Sequence, residues 1–93
     1  MNTLNEVRRS IDELDQKLIA LLAERQQLVE QAGRLKPRGD IQAVAAPERV
    51  LQVIAGRRRQ AAEAGLSPDV AEAVWRAMIE AFIRLETEIN QAE

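Results

Sequence analysis

Four charged residues, Arg8, Asp15, Arg25 and Lys36, fall where the surrounding pattern calls for leucine or isoleucine. Written as heptads, this part of the chain has one seam row of Arg8, Asp15, Leu22, Val29 and Lys36 and another of Leu4, Ile11, Leu18, Arg25 and Ala32. Leu14, Leu21, Leu28 and Leu35 widen the apolar face beside them. Taken singly, each charge reads equally as a register-setting polar residue or as a long side chain reaching for water near a helix end. Three cations on one seam are harder to place in that way. Buried like charges are costly unless an anion offsets them, and Asp15 alone cannot offset three. A small polyanionic ligand held between helices resolves the conflict, with arginines gripping carboxylates by two parallel hydrogen bonds and a lysine supplying a point charge.

A second element offers the opposite wall. Trp75, Ile79, Phe82, Glu86 and Ile89 recur at helical spacing and put Glu86 inside an apolar row. Two roles stand open for it: a structural ion pair with a seam cation, or a carboxyl whose proton is donated to the ligand. Glu48 follows Pro47 in the first turn of another helix, where a glutamate commonly answers the helix dipole. The loop before it, however, must cross back over the end of the first helix, close to Lys36. The run Arg57, Arg58, Arg59 spans three faces in succession near a helix end and reads as a solvated cluster.

The inventory narrows the chemistry further. The 93 residues contain no histidine, cysteine or tyrosine, which removes imidazole bases, thiolate nucleophiles, disulfides and the commonest zinc ligands together. What remains favours binding and electrostatic catalysis, with neither metal nor cofactor expected. Lysine and arginine number 13 against 15 acidic residues, a net charge of -2, so no broad basic field invites nucleic acid. No apolar run approaches membrane-spanning length and the first residues lack the order of a signal peptide, so the cytoplasm is the expected location, with no membrane partner.

Three helices must position these groups. Residues 3–36 hold one glycine, Gly33, and no proline, and read as one long helix that Pro37 and Gly39 end. Residues 38–46 show no periodicity and read as a loop. Pro47 suits the first turn of a second helix running to about Ala64, with Gly65 as its stop. Ser67 is the expected N-cap of a third, with Pro68 at its first position and Asp69 near the positive end of the dipole. That helix runs to about Asn90 and is expected to bury Val70, Val74, Trp75, Met78, Phe82, Leu85 and Ile89. The expectation is an all-α chain forming one domain over residues 1–93. A helix of ~34 residues is roughly 50 Å long, against a radius of gyration of about 12 Å for a compact chain of this size. The first helix must then project, and its projecting apolar stripe calls for cover from a second copy.

The stretch from Val7 to Arg25, an arginine followed by Ile-Asp-Glu-Leu-Asp and then Leu-Leu-Ala-Glu-Arg, with Lys36 eleven residues on, closely resembles the first helix of the AroQ-type, all-helical chorismate mutases. Ala46-Pro-Glu-Arg-Val50 resembles the start of the second helix in short members of the same superfamily, and the likeness covers residues 4–90. The resemblance implies an intertwined homodimer with two identical sites, each completed by an arginine from the other chain. Carried across by motif, Arg8 matches that reaching arginine, Arg25 the carboxylate-binding arginine within the subunit, and Lys36 the lysine beside the ether oxygen. Glu48 matches the glutamate near the substrate hydroxyl. Glu86 stands where many members have a glutamine donating to the ether oxygen. The chain departs from the enteric-type mutases at Val44-Ala-Ala-Pro47, which leaves one arginine contact missing or supplied by Arg49, and at Phe82, where a small hydroxyl residue is often found.

The activity implied is the conversion of chorismate to prephenate in aromatic amino-acid biosynthesis. Both departures also bring the chain nearer to the isochorismate-pyruvate lyases, which usually keep glutamine where Glu86 stands. A non-catalytic dimeric helical module is the third reading, although such a module has no use for Arg8, Arg25 and Lys36 on one buried seam.

Overall fold

The computed structural model describes residues 3–92. Met1, Asn2 and Glu93, which belong to the domain span and, for the first two, to the amino-terminal segment read above, lie outside the described residues. Along the described residues four helices follow one another: α1 (Leu4–Leu35), α2 (Ile41–Ala45), α3 (Pro47–Ala64) and α4 (Pro68–Gln91). Each start has a local chemical cause. Thr3 caps α1, its hydroxyl accepting from the Glu6 N–H at 3.2 Å, and Ser67 caps α4 by accepting from the Val70 N–H at 3.3 Å. Pro47 and Pro68 occupy first turns, where the missing N–H costs nothing. Gly65 ends α3 with φ 81°, a left-handed conformation that a side chain would strain.

The segment expected to be a loop contains the short helix α2. The Asp40 carboxylate accepts from the Ala43 N–H at 2.9 Å, so one turn starts there, and Val44, 3% exposed, pins it against α4. Burying that valine contributes roughly 1.5–3 kcal/mol, enough to hold a turn that propensity alone would not. Val53, Ile54 and Ala61 of α3 and Ala71 of α4 complete the small core between the α3–α4 pair.

α1 packs on α4 along its C-terminal part, where Gly33 is buried. A Cβ on Gly33 would stand 2.9 Å from the Glu86 Cγ and 3.3 Å from the Glu86 carbonyl, so glycine is what lets α1 approach α4. Asn90, 4% exposed, ties the junction: its Nδ2 donates to the carbonyls of Gly33 (2.8 Å), Lys36 (3.2 Å) and Pro37 (3.2 Å), while its Oδ1 accepts from the Gly39 N–H (2.8 Å). One amide thus satisfies carbonyls that the end of α1 would otherwise leave without partners.

Residues 4–24 are exposed throughout, including the apolar stripe, and the chain extends 55 Å along its longest axis with a radius of gyration of 16.2 Å. Val70 and Val74, expected to be buried, are 51% and 49% exposed. They sit on the N-terminal part of α4, and the half of α1 that could cover them stands away from it with its own side chains open. No described helix is long and apolar enough to cross a membrane.

Candidate active site

A cleft of about 360 Å³ opens between the C-terminal part of α1, α2, the first half of α3 and the second half of α4. Lys36, Glu86, Arg25 and Arg49 all line it. The heptad rows explain the first helix's share: Arg25, Val29, Ala32 and Lys36 recur at 3/4 spacing and present one face. On α3, Arg49, Val50, Val53 and Arg57 do the same. Arg57, read from the sequence as solvated, therefore belongs to the cleft wall. Its neighbour Arg58 faces away by a helical step of about 100° and pairs with Asp69 and Glu72 instead, at 3.1 and 3.0 Å. The recurrence of Arg49, Val53 and Arg57 at four-residue intervals was the available signal.

Lys36 and Glu86 form an ion pair, Nζ to Oε2 at 3.0 Å, with the glutamate 6% exposed. The structural role left open for Glu86 is thus realised in the ligand-free chain. Because Gly33 seats the stem of Glu86 and Asn90 holds the carbonyl of Lys36, neither partner is free to drift. Nothing in local sequence marked Gly33 or Asn90 as positioning groups, since their importance lies in contacts more than fifty residues away.

The remaining cations lack such compensation. Among the described residues, Arg25, Arg49 and Arg57 form no ion pair, and the Nη1 of Arg25 is buried without any hydrogen-bond partner. Burial, followed by repulsion from Arg57 and then from Arg49, holds the Arg25 guanidinium below the ordinary arginine range. Its face rests on the Phe82 ring, 4.9 Å from the centroid, which steadies the charge without neutralising it. Phe82 thereby occupies usefully the place where the family resemblance led one to look for a hydroxyl. A site holding four cations and one carboxylate around an apolar floor is arranged to receive a compact dianion.

Two residues named from the sequence lie elsewhere. Glu48 is exposed on the first turn of α3 and borders a separate shallow depression with Gln42, Pro47 and Arg49. Arg8 stands on the exposed half of α1, 17 residues and so about 25 Å along the helix from Arg25. It cannot take part in the cleft of its own chain.

Comparison with known proteins agrees with this geometry. The chain is similar to the T-protein of Haemophilus influenzae (strain ATCC 51907 / DSM 11121 / KW20 / Rd), with 41% identity over 76 residues, 82% of this chain and 20% of that protein. It is 38% identical over 73 residues to the T-protein of Enterobacter agglomerans, covering 78% of this chain and 19% of that one. The chain thus spans about a fifth of the length of these curated relatives. The family model for chorismate mutase type II matches residues 7–87, a span that contains Arg8, Arg25, Lys36 and Glu86 together with every residue that walls the cleft, and the chain belongs to that family.

Proposed function

We propose that this chain catalyses the rearrangement of chorismate to prephenate, as an intertwined homodimer in the cytoplasm, serving aromatic amino-acid biosynthesis. The observation that carries the reading is the buried, unpartnered Nη1 of Arg25 in a cleft whose one carboxylate, Glu86, is taken by Lys36 while three arginines form no ion pair among the described residues. Such a donor costs about 1–3 kcal/mol unless something accepts from it, and a substrate carboxylate is the natural acceptor.

The reaction is an intramolecular pericyclic step. One carbon–oxygen bond breaks as one carbon–carbon bond forms, no electrons leave the substrate, and no nucleophile, metal or cofactor is called for. The enzyme has to hold a compact conformer and direct positive charge at the ether oxygen as negative charge gathers there. Arg25 grips one carboxylate, and Arg8 of the second chain takes the other. Lys36 lies against the ether oxygen. Glu86, 3.0 Å from Lys36, takes the donor's place beside it at the same atom, while Glu48 and Arg49 at the rim serve the substrate hydroxyl and a carboxylate. The exposed apolar stripe of residues 4–24 supports the dimer, because an uncovered stripe of this length on one helix is what a second copy would bury.

Purified protein given chorismate should form prephenate, and given isochorismate should form neither pyruvate nor salicylate; the opposite pattern would make the chain a lyase. Sedimentation should show a dimer, and a compact stable monomer would remove both the architecture and the shared site. Mixing Arg8→Ala with Arg25→Ala chains should restore one intact site per heterodimer, about half the activity of a normal dimer. Glu86→Gln, which keeps a hydrogen-bond donor at this position, should keep substantial turnover, whereas Glu86→Ala should not.

A further inference from the structure

The chain has two aromatic rings, Trp75 and Phe82, and each carries an arginine from a different helix on its face. Arg25 of α1 lies 4.9 Å from the Phe82 centroid, and Arg57 of α3 lies 5.8 Å from the Trp75 centroid. The rings are seven residues apart, two turns along the same face of α4 and about 10 Å along its axis. Stacking occupies the flat face of a guanidinium and leaves its edge of N–H donors free, which is the edge that binds carboxylates two bonds at a time. Arg57 donates to the neutral Gln60 amide oxygen at 3.2 Å and, among the described residues, to no carboxylate. Arg25 has its buried unpartnered Nη1. Both border the same cleft.

We propose that Arg57 is a substrate-binding residue, sharing with Arg25 a single substrate carboxylate that the two ring-seated guanidinia grip from neighbouring helices. The inference rests on the reading of the cleft as a dicarboxylate site. It adds a fourth arginine, after Arg8, Arg25 and Arg49, to substrate recognition and gives Trp75 the task of aiming it. Of the two arginines that repel Arg25, Arg57 acts the more strongly, in keeping with a shared position across the gap. Arg49, at the cleft mouth, has no ring to fix it and is left to the rim. The consequence is selectivity: one end of the site recognises a carboxylate with two arginines from the same chain, while the other end depends on the second copy.

The test compares the parent chain with Arg57→Gln and Arg57→Lys on chorismate and on its two monomethyl esters, with thermal melts as the folding control. Arg57→Gln should raise KM about tenfold or more with a much smaller change in kcat, and Arg57→Lys, which keeps the charge but not the two-pronged edge, should recover only part of the loss. The ester on which Arg25→Gln has no further effect should be equally indifferent to Arg57→Gln, because both variants then lack the same contact. An unchanged KM for Arg57→Gln, or an equal loss on both esters, overturns the shared grip while leaving the mutase reading intact. A parent chain inert towards chorismate overturns that reading and this inference together. Should the glutamine variant fail to fold, Arg57→Lys on the two esters decides the matter by the same criterion.

Discussion

Arg57 and Arg58 are consecutive residues with opposite surroundings. Arg58 lies on the α3–α4 surface among Asp69, Glu72 and Arg76, each cation within 3.1 Å of a carboxylate. Hydrogen bonding to Asp69 raises the Arg58 guanidinium further above its ordinary range. Arg57 faces the cleft with Arg25 and Arg49, and among the described residues none of the three forms an ion pair. The first group is complete as it stands and needs no ligand. The second is left short of negative charge in a place where water is partly excluded, and that shortage is what a dianionic substrate would make good.

The contrast is best broken at the cleft. Lys36→Ala removes the cation that the proposed reaction sets beside the breaking bond and should lower kcat by roughly 10²–10³, whereas Arg58→Gln should leave kcat and KM within about twofold of the parent. Steady-state kinetics on both variants checks this; comparable losses would mean that the two clusters do not differ in function.

A smaller effect is expected where the cleft is held in shape. Gly33→Ala puts a methyl group 2.9 Å from the Glu86 Cγ and 3.3 Å from a backbone carbonyl, so α1 and α4 must part or Glu86 must shift. Overpacking of this kind costs about 1–3 kcal/mol. Denaturant unfolding should show the loss, accompanied by a fall in kcat because the Lys36–Glu86 pair moves with it; a Gly33→Ala chain as stable and as active as the parent would show the contact to be soft.

Arg25 should display the opposite balance between stability and activity. A cation whose folded pKa lies below its unfolded value holds its proton less tightly when folded, so the charged Arg25 costs stability in the ligand-free chain. Replacing it with the apolar Arg25→Met should abolish activity yet raise the stability of the ligand-free protein by about 1 kcal/mol, the lower end of what a buried unpartnered donor costs. Melting at fixed protein concentration reads the change. A lower melting temperature would mean that the stacking on Phe82 outweighs the penalty.

The smallest effect belongs to the surface cluster. Hydrogen bonding to Arg76, ahead of burial acting the other way and of the remaining contacts with Arg76 and Arg58, holds the Glu72 carboxyl below its ordinary value of 4.5. For a depressed carboxyl the stabilisation is fully present above 4.5 and is lost as the pH falls through the lower folded value. Glu72→Gln should therefore flatten the acid end of the stability curve slightly, and added salt should erase the difference, since both charges are open to solvent.

The helical period made much of this legible in advance. It placed Arg25, Lys36 and Glu86 on inward faces, because a charge at 3/4 spacing with leucines shares their direction whatever the helix later packs against. Ser67, Pro68 and Gly65 marked helix ends through backbone chemistry that acts within four residues. Where an outcome depended on a distant neighbour, the same reasoning had nothing to act on. Five residues carry no usable period, so α2 appeared only once Asp40 and the burial of Val44 were visible. Val70 and Val74 matched the apolar rule and are open because α1 leaves that end of α4. Gly33 and Asn90 matter through contacts with another helix, and Arg57 differs from Arg58 only by which of them the packing of α3 turned towards the cleft. Periodicity assigns a residue to a face of its own helix; what that face meets is decided by how the helices cross, and the crossing is set by close approaches such as that of Gly33 to Glu86.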